Sequence, residues 1–174
     1  MVKKLIVKDL LGAWILLTAC ILGGVIVNEL RPLPLPLVYS PPQVRLRDAV
    51  GRLEGASGFP IPTKGEVSLD EMKKISATRG AVILDARPEI FYRLGHIPSA
   101  LSLPRDDFEK TYHALEPLLQ SYRDKVMIVY CAGQECEDSQ MVGDALASLG
   151  YPHVRLFRGG WSDWEGGDLP EERE

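Results

Sequence analysis

Val126-Met127-Ile128-Val129-Tyr130-Cys131-Ala132-Gly133-Gln134-Glu135-Cys136-Glu137-Asp138-Ser139 is an apolar run that stops at a cysteine, turns through a polar loop and opens a helix. Val126 to Tyr130 is short, rich in β-branched residues and bounded by Lys125 and the loop, which predicts a strand buried on both faces. From Asp138 onward, Met141, Val142, Ala145, Leu146 and Leu149 recur at the spacing of one helical face, and Gly150 ends the pattern. Cys131 therefore falls between a strand end and a helix start. There, loop N–H groups and the positive end of the helix favour thiolate over thiol, which would make the residue nucleophilic at neutral pH. The competing reading is a buried structural cysteine, since free cysteine is commonly a core residue.

Working outward, Ala81-Val82-Ile83-Leu84 reads as a second buried strand ending in Asp85, and Ser68-Leu69-Asp70-Glu71 before it has the form of a capping box that starts a helix near Leu69. Pro88 is placed to begin a helix carrying Ile90, Phe91 and Leu94, closed by Gly95. Gly95 to Ala100 is a turn and Leu101 to Leu103 a short strand. After Pro104 come one or two helices through Tyr122, interrupted or restarted at Pro117. Val154 to Phe157 is a last strand, and Gly159-Gly160-Trp161 begins a helical turn that ends before Pro170. Short apolar strands alternating with amphipathic helices imply an α/β fold, a parallel sheet with helices on both faces. In such sheets ligands bind beyond the carboxyl ends of the strands, where Cys131 lies.

The N-terminal part is built differently. Leu10 to Val27 is an uncharged apolar run, about 27 Å long as a helix and so close to a bilayer core in length. Lys3, Lys4 and Lys8 precede it while Glu29 and Arg31 follow, which predicts a cytoplasmic N-terminus and a single transmembrane helix. In a bacterium the remainder would lie on the periplasmic side of the inner membrane. Leu17-Thr18-Ala19-Cys20 also resembles a lipobox with Cys20 acylated, and a cleaved signal is a third reading; continued apolarity from Ile21 to Val27 favours the uncleaved anchor. Arg31 to Pro42 holds five prolines and predicts an extended spacer. Val44, Leu46, Val50 and Leu53 suggest a short amphipathic helix, on the domain or on headgroups. Gly55 to Gly65 reads as a loop. The expected organisation is 1–9 cytoplasmic, 10–29 transmembrane, 30–65 linker, 66–170 compact domain and 171–174 a solvated acidic tail.

Composition narrows the function classes. The 174 residues are 45% hydrophobic and 25% charged, with a net charge of −4 and scattered Lys and Arg, which argues against nucleic acid as a partner. Three cysteines are too few for a disulfide scaffold, no Cys/His spacing resembles a zinc site, and His96, His113 and His153 are far apart, so no metal or cofactor is expected.

Four stretches in one order resemble the rhodanese-like sulfurtransferase family. They are Leu84-Asp85-Ala86-Arg87-Pro88 with Phe91-Tyr92, then Gly95-His96-Ile97-Pro98-Ser99-Ala100, then Tyr130-Cys131 with its loop, then Arg158-Gly159-Gly160-Trp161 with Trp164 and Leu169-Pro170. The resemblance covers about Glu66 to Pro170. It implies that Cys131 takes sulfane sulfur from a small donor, holds it as a persulfide and passes it to a thiol or other nucleophilic acceptor. The N–H groups of Ala132, Gly133, Gln134, Glu135, Cys136 and Glu137 would cradle that persulfide as an anion nest does. Asp85 and Arg87 match a motif that ties the first strand end to its neighbours, with Arg87 the one that could face the site. Trp161 and Trp164 read as packing, one of them lining the pocket. His96 reads as a turn residue bonding backbone carbonyls, and Asp138 and Ser139 as helix-start residues satisfying exposed N–H groups.

The departures from the family pattern carry information too. Where many thiosulfate- and mercaptopyruvate-using members have a basic or hydroxyl residue late in the loop, this chain has Glu135, Cys136 and Glu137. Two carboxylates beside a thiolate raise its pKa and repel an anionic donor. Fold relatives that act on phosphate esters or arsenate use Cys-x5-Arg, whereas position 137 is Glu. Cys136, five positions after Cys131, is a candidate resolving thiol, with small-residue loop packing as the alternative. Two further functions therefore stand beside the sulfurtransferase: a thiol-disulfide redox protein using Cys131 and Cys136, and a non-catalytic rhodanese-like binding module. No protein partner is named by the sequence.

Overall fold

Strand alternation sets the two faces of the sheet. In the computed structural model, which describes residues 2–31, 39–53 and 65–174, β1 (Val82–Asp85), β2 (Leu101–Ser102), β3 (Met127–Tyr130) and β4 (Val154–Phe157) form one parallel sheet in the order β2-β1-β3-β4. Because side chains alternate across a strand, Val82, Leu84, Met127, Val129, Val154 and Leu156 enter one buried cluster, while Ile83, Ile128, Tyr130 and Phe157 enter another. The expected α/β architecture with both sheet faces covered is present.

The helices divide between these faces by their buried residues. On the first face lie α2 (Pro42–Arg52) through Leu46 and Val50, α5 (Phe108–Ser121) through Phe108, Tyr112 and Leu119, and α6 (Asp138–Ser148) through Val142 and Leu146. On the second lie α3 (Leu69–Thr78) through Met72, α4 (Glu89–Leu94) through Tyr92, and α7 (Gly160–Gly166) through Trp164. The helix α3 starts as the capping box requires, the Glu71 N–H donating to Ser68 Oγ at 3.3 Å. Its other end is closed by Arg79 in the left-handed region, at φ 51.

Several local expectations are corrected. Pro117 neither interrupts nor restarts a helix: α5 runs through it. The missing N–H and ring clash are local costs, and side chains buried on both sides of it, Tyr112 and Leu119, keep the helix continuous. The amphipathic segment, by contrast, forms the expected helix on the domain: α2 packs on α5 and α6, with Arg52 Nη2 2.6 Å from Glu109 Oε2, inside a compact unit that runs from Ser40 to Glu174. Residues 171–174 are not simply solvated. The Glu172 N–H and carbonyl pair with His96 at 2.9 Å each, and Glu172 Oε2 accepts from the Ser99 N–H at 2.8 Å, where Ser99 has φ 65.

The N-terminal unit is a separate body containing α1 (Val2–Glu29), a 28-residue helix. Its stretch Gly12–Glu29 is long and apolar enough to cross a membrane, and Trp14, Leu16 and Leu22 face outward. The greater part of the proline spacer (32–38) and of the glycine-rich loop (54–64) lies outside the described residues.

Candidate active site

Cys131 follows β3 directly, so the pleat turns its side chain to the face opposite Tyr130, among the residues packed under α5 and α6. It is 1% exposed, more enclosed than a residue on an open rim. As a thiol it has acceptors at Cys136 O (3.2 Å), Ser139 Oγ (3.4 Å) and, more distantly, Gly133 O (3.8 Å). As a thiolate it gains donors instead. The Cys136 thiol pushes its pKa down most; burial pushes it up; the Ser139 hydroxyl and the amides of Ser139 and Gly133 push it down further, to about 6 from 9.0. An apolar site alone would have moved it the other way. Burial and a lowered pKa coexist because the Cys136 thiol and the Ser139 hydroxyl act on the sulfur against desolvation.

Cys136 is the mirror case. Its thiol is pushed well above the ordinary range, first by its hydrogen bond to Cys131 and then by burial, against the amides of Ala132 and Asp138. The loop amides are thus shared between the two sulfurs rather than aimed at one. The Cys136 N–H itself is spent inside the loop, donating to Gly133 O at 3.0 Å. Ala132, Gln134, Glu135 and Glu137 are exposed, so the loop carboxylates stand in solvent, where salt screens them.

Contacts from α7 fix the start of this loop. The Trp161 N–H donates to Cys131 O at 2.8 Å, and Ser162 donates to Ala132 O through its N–H at 2.9 Å and its hydroxyl at 2.8 Å. This approach needs Gly160: φ is +60 there, and a Cβ would meet Cys131 O (2.4 Å) and Gly133 N (2.9 Å).

Asp85, Arg87 and Trp161 gather on the other face of the sheet. Register places Asp85 beside Tyr130, whose hydroxyl donates to Asp85 Oδ2 at 2.7 Å and accepts from the Ile97 N–H at 3.2 Å. Arg87 grips the same carboxylate through Nε (3.0 and 3.1 Å) and Nη2 (2.6 Å), donates to Gly95 O at 2.7 Å, and lies 4.6 Å from the Trp161 ring centroid. Asp85 is fully buried and Arg87 5% exposed. The network ties β1, β3, the turn before β2 and the start of α7 together without touching the sulfur.

His96 stacks on Tyr92 with centroids 3.8 Å apart, and its Nδ1 lies 2.8 Å from Tyr92 O. Two roles were not read from the sequence, that of Ser139, taken there as a helix-start residue, and that of Arg105. Ser139 is buried with its hydroxyl on the sulfur instead of on a helix amide. Arg105 lies 2.5 Å through Nε from Asp138 Oδ1, an ion pair too oblique to be a hydrogen bond, and so anchors the first turn of α6. A groove of about 560 Å³ runs between α2 and residues 105–110; Cys131 is not part of its lining. Among the described residues no three His, Cys, Asp or Glu side chains gather as metal ligands would.

A parallel sheet with a cysteine in a short loop at a strand's carboxyl end is an α/β domain whose ligands bind beyond the strand ends. Residues 68–166 match the model of the rhodanese-like domain, and the chain belongs to that family. Its relatives include sulfurtransferases. It is 32% identical over 145 residues to the 3-mercaptopyruvate sulfurtransferase of Escherichia coli (strain K12), covering 71% of this chain and 50% of that protein. It is 28% identical over 130 residues to a putative thiosulfate sulfurtransferase of Synechococcus elongatus, covering 59% and 40%. The chain spans a quarter to a half of the length of the curated relatives it resembles. Among solved structures, the rhodanese-like domain from Anabaena sp. has 27% identity and a TM-score of 0.52 over 64% of this chain and 81% of that one. The BH2092 protein from Bacillus halodurans, at 24% identity and a TM-score of 0.55 over 62% and 76%, shares the fold.

Proposed function

We propose that this chain is a membrane-anchored sulfurtransferase that carries sulfane sulfur as a persulfide on Cys131. The observation that carries the reading is a cysteine at the carboxyl end of β3, in a domain of the rhodanese-like family, with Cys136 and Ser139 closed around its sulfur so that its pKa is drawn down against burial. In the first half-reaction the thiolate attacks the sulfane sulfur of a donor; the Sγ–S bond forms and the donor leaves with the electron pair of the bond it loses. In the second, a nucleophilic acceptor attacks the outer sulfur and Cys131 leaves as thiolate. Because Cys131 is 1% exposed, both steps require the loop at 132–137 or the helix above it to open. Exposed Glu135 and Glu137 at the mouth favour an uncharged or protein-borne sulfur donor over thiosulfate.

Anchoring rests on α1: the apolar length and exposed side chains of its stretch Gly12–Glu29 suit a bilayer, and Lys3, Lys4 and Lys8 ahead of that stretch favour a cytoplasmic N-terminus. The domain then faces the periplasm of a bacterial inner membrane. Acylation at Cys20 is the alternative tether, and the intact mass of the full-length protein separates the two.

The sulfur chemistry is tested by incubating the protein with thiosulfate, 3-mercaptopyruvate and glutathione persulfide and reading Cys131 by peptide mass. A gain of about 32 Da is expected, absent in Cys131→Ser. No adduct from any donor would overturn the proposal.

A further inference from the structure

We propose that Cys136 is a resolving thiol that attacks Sγ of the Cys131 persulfide, closes a Cys131–Cys136 disulfide and expels the sulfane sulfur as hydrosulfide. This rests on the persulfide reading above and adds the fate of the sulfur and the partner that completes the cycle.

The loop brings the two sulfurs together by its own fold. The turn closed by Cys136 N–H to Gly133 O carries residue 136 back over the strand end, so that its carbonyl sits 3.2 Å from Cys131 Sγ. Cys131 belongs to the buried apolar cluster under α5 and α6, and Cys136 packs against that same cluster. Both are free thiols. Displacement at sulfur requires attacking sulfur, Sγ and leaving sulfur near one line, so a sulfane sulfur that extends from Sγ away from residue 136 leaves the inner sulfur open to Cys136. Attack on the outer sulfur would need Cys136 to reach around Sγ.

Ionisation favours the same order of events. In the resting pair the Cys131 thiolate is what chiefly holds the Cys136 proton in place. Once Sγ is capped, the negative charge moves to the outer sulfur, that restraint falls away, and the Ala132 and Asp138 amides that already draw the Cys136 pKa down remain. Cys136 then loses its proton and forms the new S–S bond. The Sγ–sulfane bond breaks with its electron pair on the sulfane sulfur, which takes up the released proton as hydrosulfide. Two thiol sulfurs are oxidised to a disulfide and one sulfane sulfur is reduced to sulfide, so the step needs no outside oxidant. Hydrosulfide is a weaker base than an alkyl thiolate and leaves readily. Returning the pair to thiols takes two electrons and two protons from an external thiol reductant, either a dithiol that resolves its own mixed disulfide or two monothiols in turn, and the product feeds a reaction that consumes sulfide.

The test uses the full chain in detergent, with Cys20→Ser so that only the loop thiols remain, loaded anaerobically with one equivalent of glutathione persulfide after the reductant has been removed. The expected result is release of close to one sulfide per chain without added thiol, and a Cys131–Cys136 peptide lighter by about 2 Da than the dithiol form. In Cys136→Ser, which keeps a hydroxyl in place of the thiol, and in Cys136→Ala, both loaded at about pH 9 so that Cys131 ionises without the Cys136 thiol, the Cys131 adduct of about 32 Da should form and persist, with sulfide release at least about tenfold lower. A stable adduct on Cys131 of the otherwise wild-type protein with no sulfide released would overturn the inference while leaving the persulfide reading standing. So would an adduct that moves to Cys136. If the otherwise wild-type protein neither carries the adduct nor releases sulfide, the persulfide reading fails and this inference falls with it. Titration with dithiothreitol provides a readout independent of any donor: a reversible two-electron couple is expected, and its absence counts against the disulfide.

Discussion

The ionisation of Cys131 gives the sharpest quantitative expectation. With its pKa drawn from 9.0 to about 6, about nine chains in ten carry the thiolate at pH 7, against about one in a hundred for an ordinary cysteine. Reactivity does not rise in proportion, because nucleophilicity falls with basicity. Across three pH units the loss is about fifteen- to thirtyfold, which leaves a net advantage of only about three- to sixfold at pH 7. A rate at a single pH therefore discriminates poorly, and the midpoint discriminates well. The rate of carbamidomethylation of the Cys131 peptide, followed by mass spectrometry from about pH 4 to pH 9, should rise through a midpoint near 6 and flatten above it. The sign follows from a depressed pKa: thiolate is present above 6 and lost as pH falls through it, so sulfur transfer should fail on the acid side. Ser139→Ala deletes a hydroxyl 3.4 Å from the sulfur. A hydrogen bond to a charged group is worth about 1.5–3 kcal/mol; at the weak end expected for this length, the midpoint should rise by about one unit. A wild-type midpoint near 9, or no displacement in Ser139→Ala, would refute the account of how the donors act.

The buttress on the opposite face of the sheet predicts stability effects. Asp85→Ala leaves the buried Arg87 guanidinium without its carboxylate and should cost about 3–5 kcal/mol in urea unfolding. Tyr130→Phe strips the Ile97 N–H and Asp85 of a partner and should cost about 1–3 kcal/mol, with the Cys131 midpoint unmoved because the network does not touch the sulfur. Gly160→Ala drives a Cβ to within 2.4 Å of Cys131 O. It should lower sulfur loading of Cys131 and the melting temperature together, the backbone having nowhere to retreat.

Much of this arrangement was legible in the chain because it follows from short-range rules. Strand-length apolar runs and helical spacing sufficed for a parallel sheet, and the join of Tyr130 to Asp138 placed Cys131 beyond a strand end. Which partners meet across the sheet was not legible. Ser139 reads as a helix-start residue until the loop's path turns its hydroxyl onto Sγ. The sharing of amides between Cys131 and Cys136 depends on the turn closed at Gly133. Pro117 shows the opposite failure: a strong local rule was outweighed by side chains buried on either side of it. The acidic tail reads as solvated because charge is visible in a sequence, whereas the backbone pairing that docks it beside His96 is not.

How a donor reaches an enclosed sulfur remains as a physical question, and α2 offers a measurable answer. The helix precedes the family match at 68–166, yet Leu46, Val50 and Leu53 join the buried cluster that contains Cys131 and Cys136. Its polar edge is held by Arg52 on Glu109, a pair 60% and 35% exposed that adds little of its own. Docking is therefore mainly apolar, and Leu46→Ala with Val50→Ala should weaken it by several kcal/mol, about 2–5 for the leucine alone. If the sulfur is reached by undocking α2, each 1.4 kcal/mol lost should quicken Cys131 alkylation about tenfold while the pH midpoint stays near 6, since none of the donors sits on α2. If the loop opens by itself, the double variant should be less stable but no faster to alkylate. The first outcome would make α2 the gate of the site, and the second would assign access to residues 132–137.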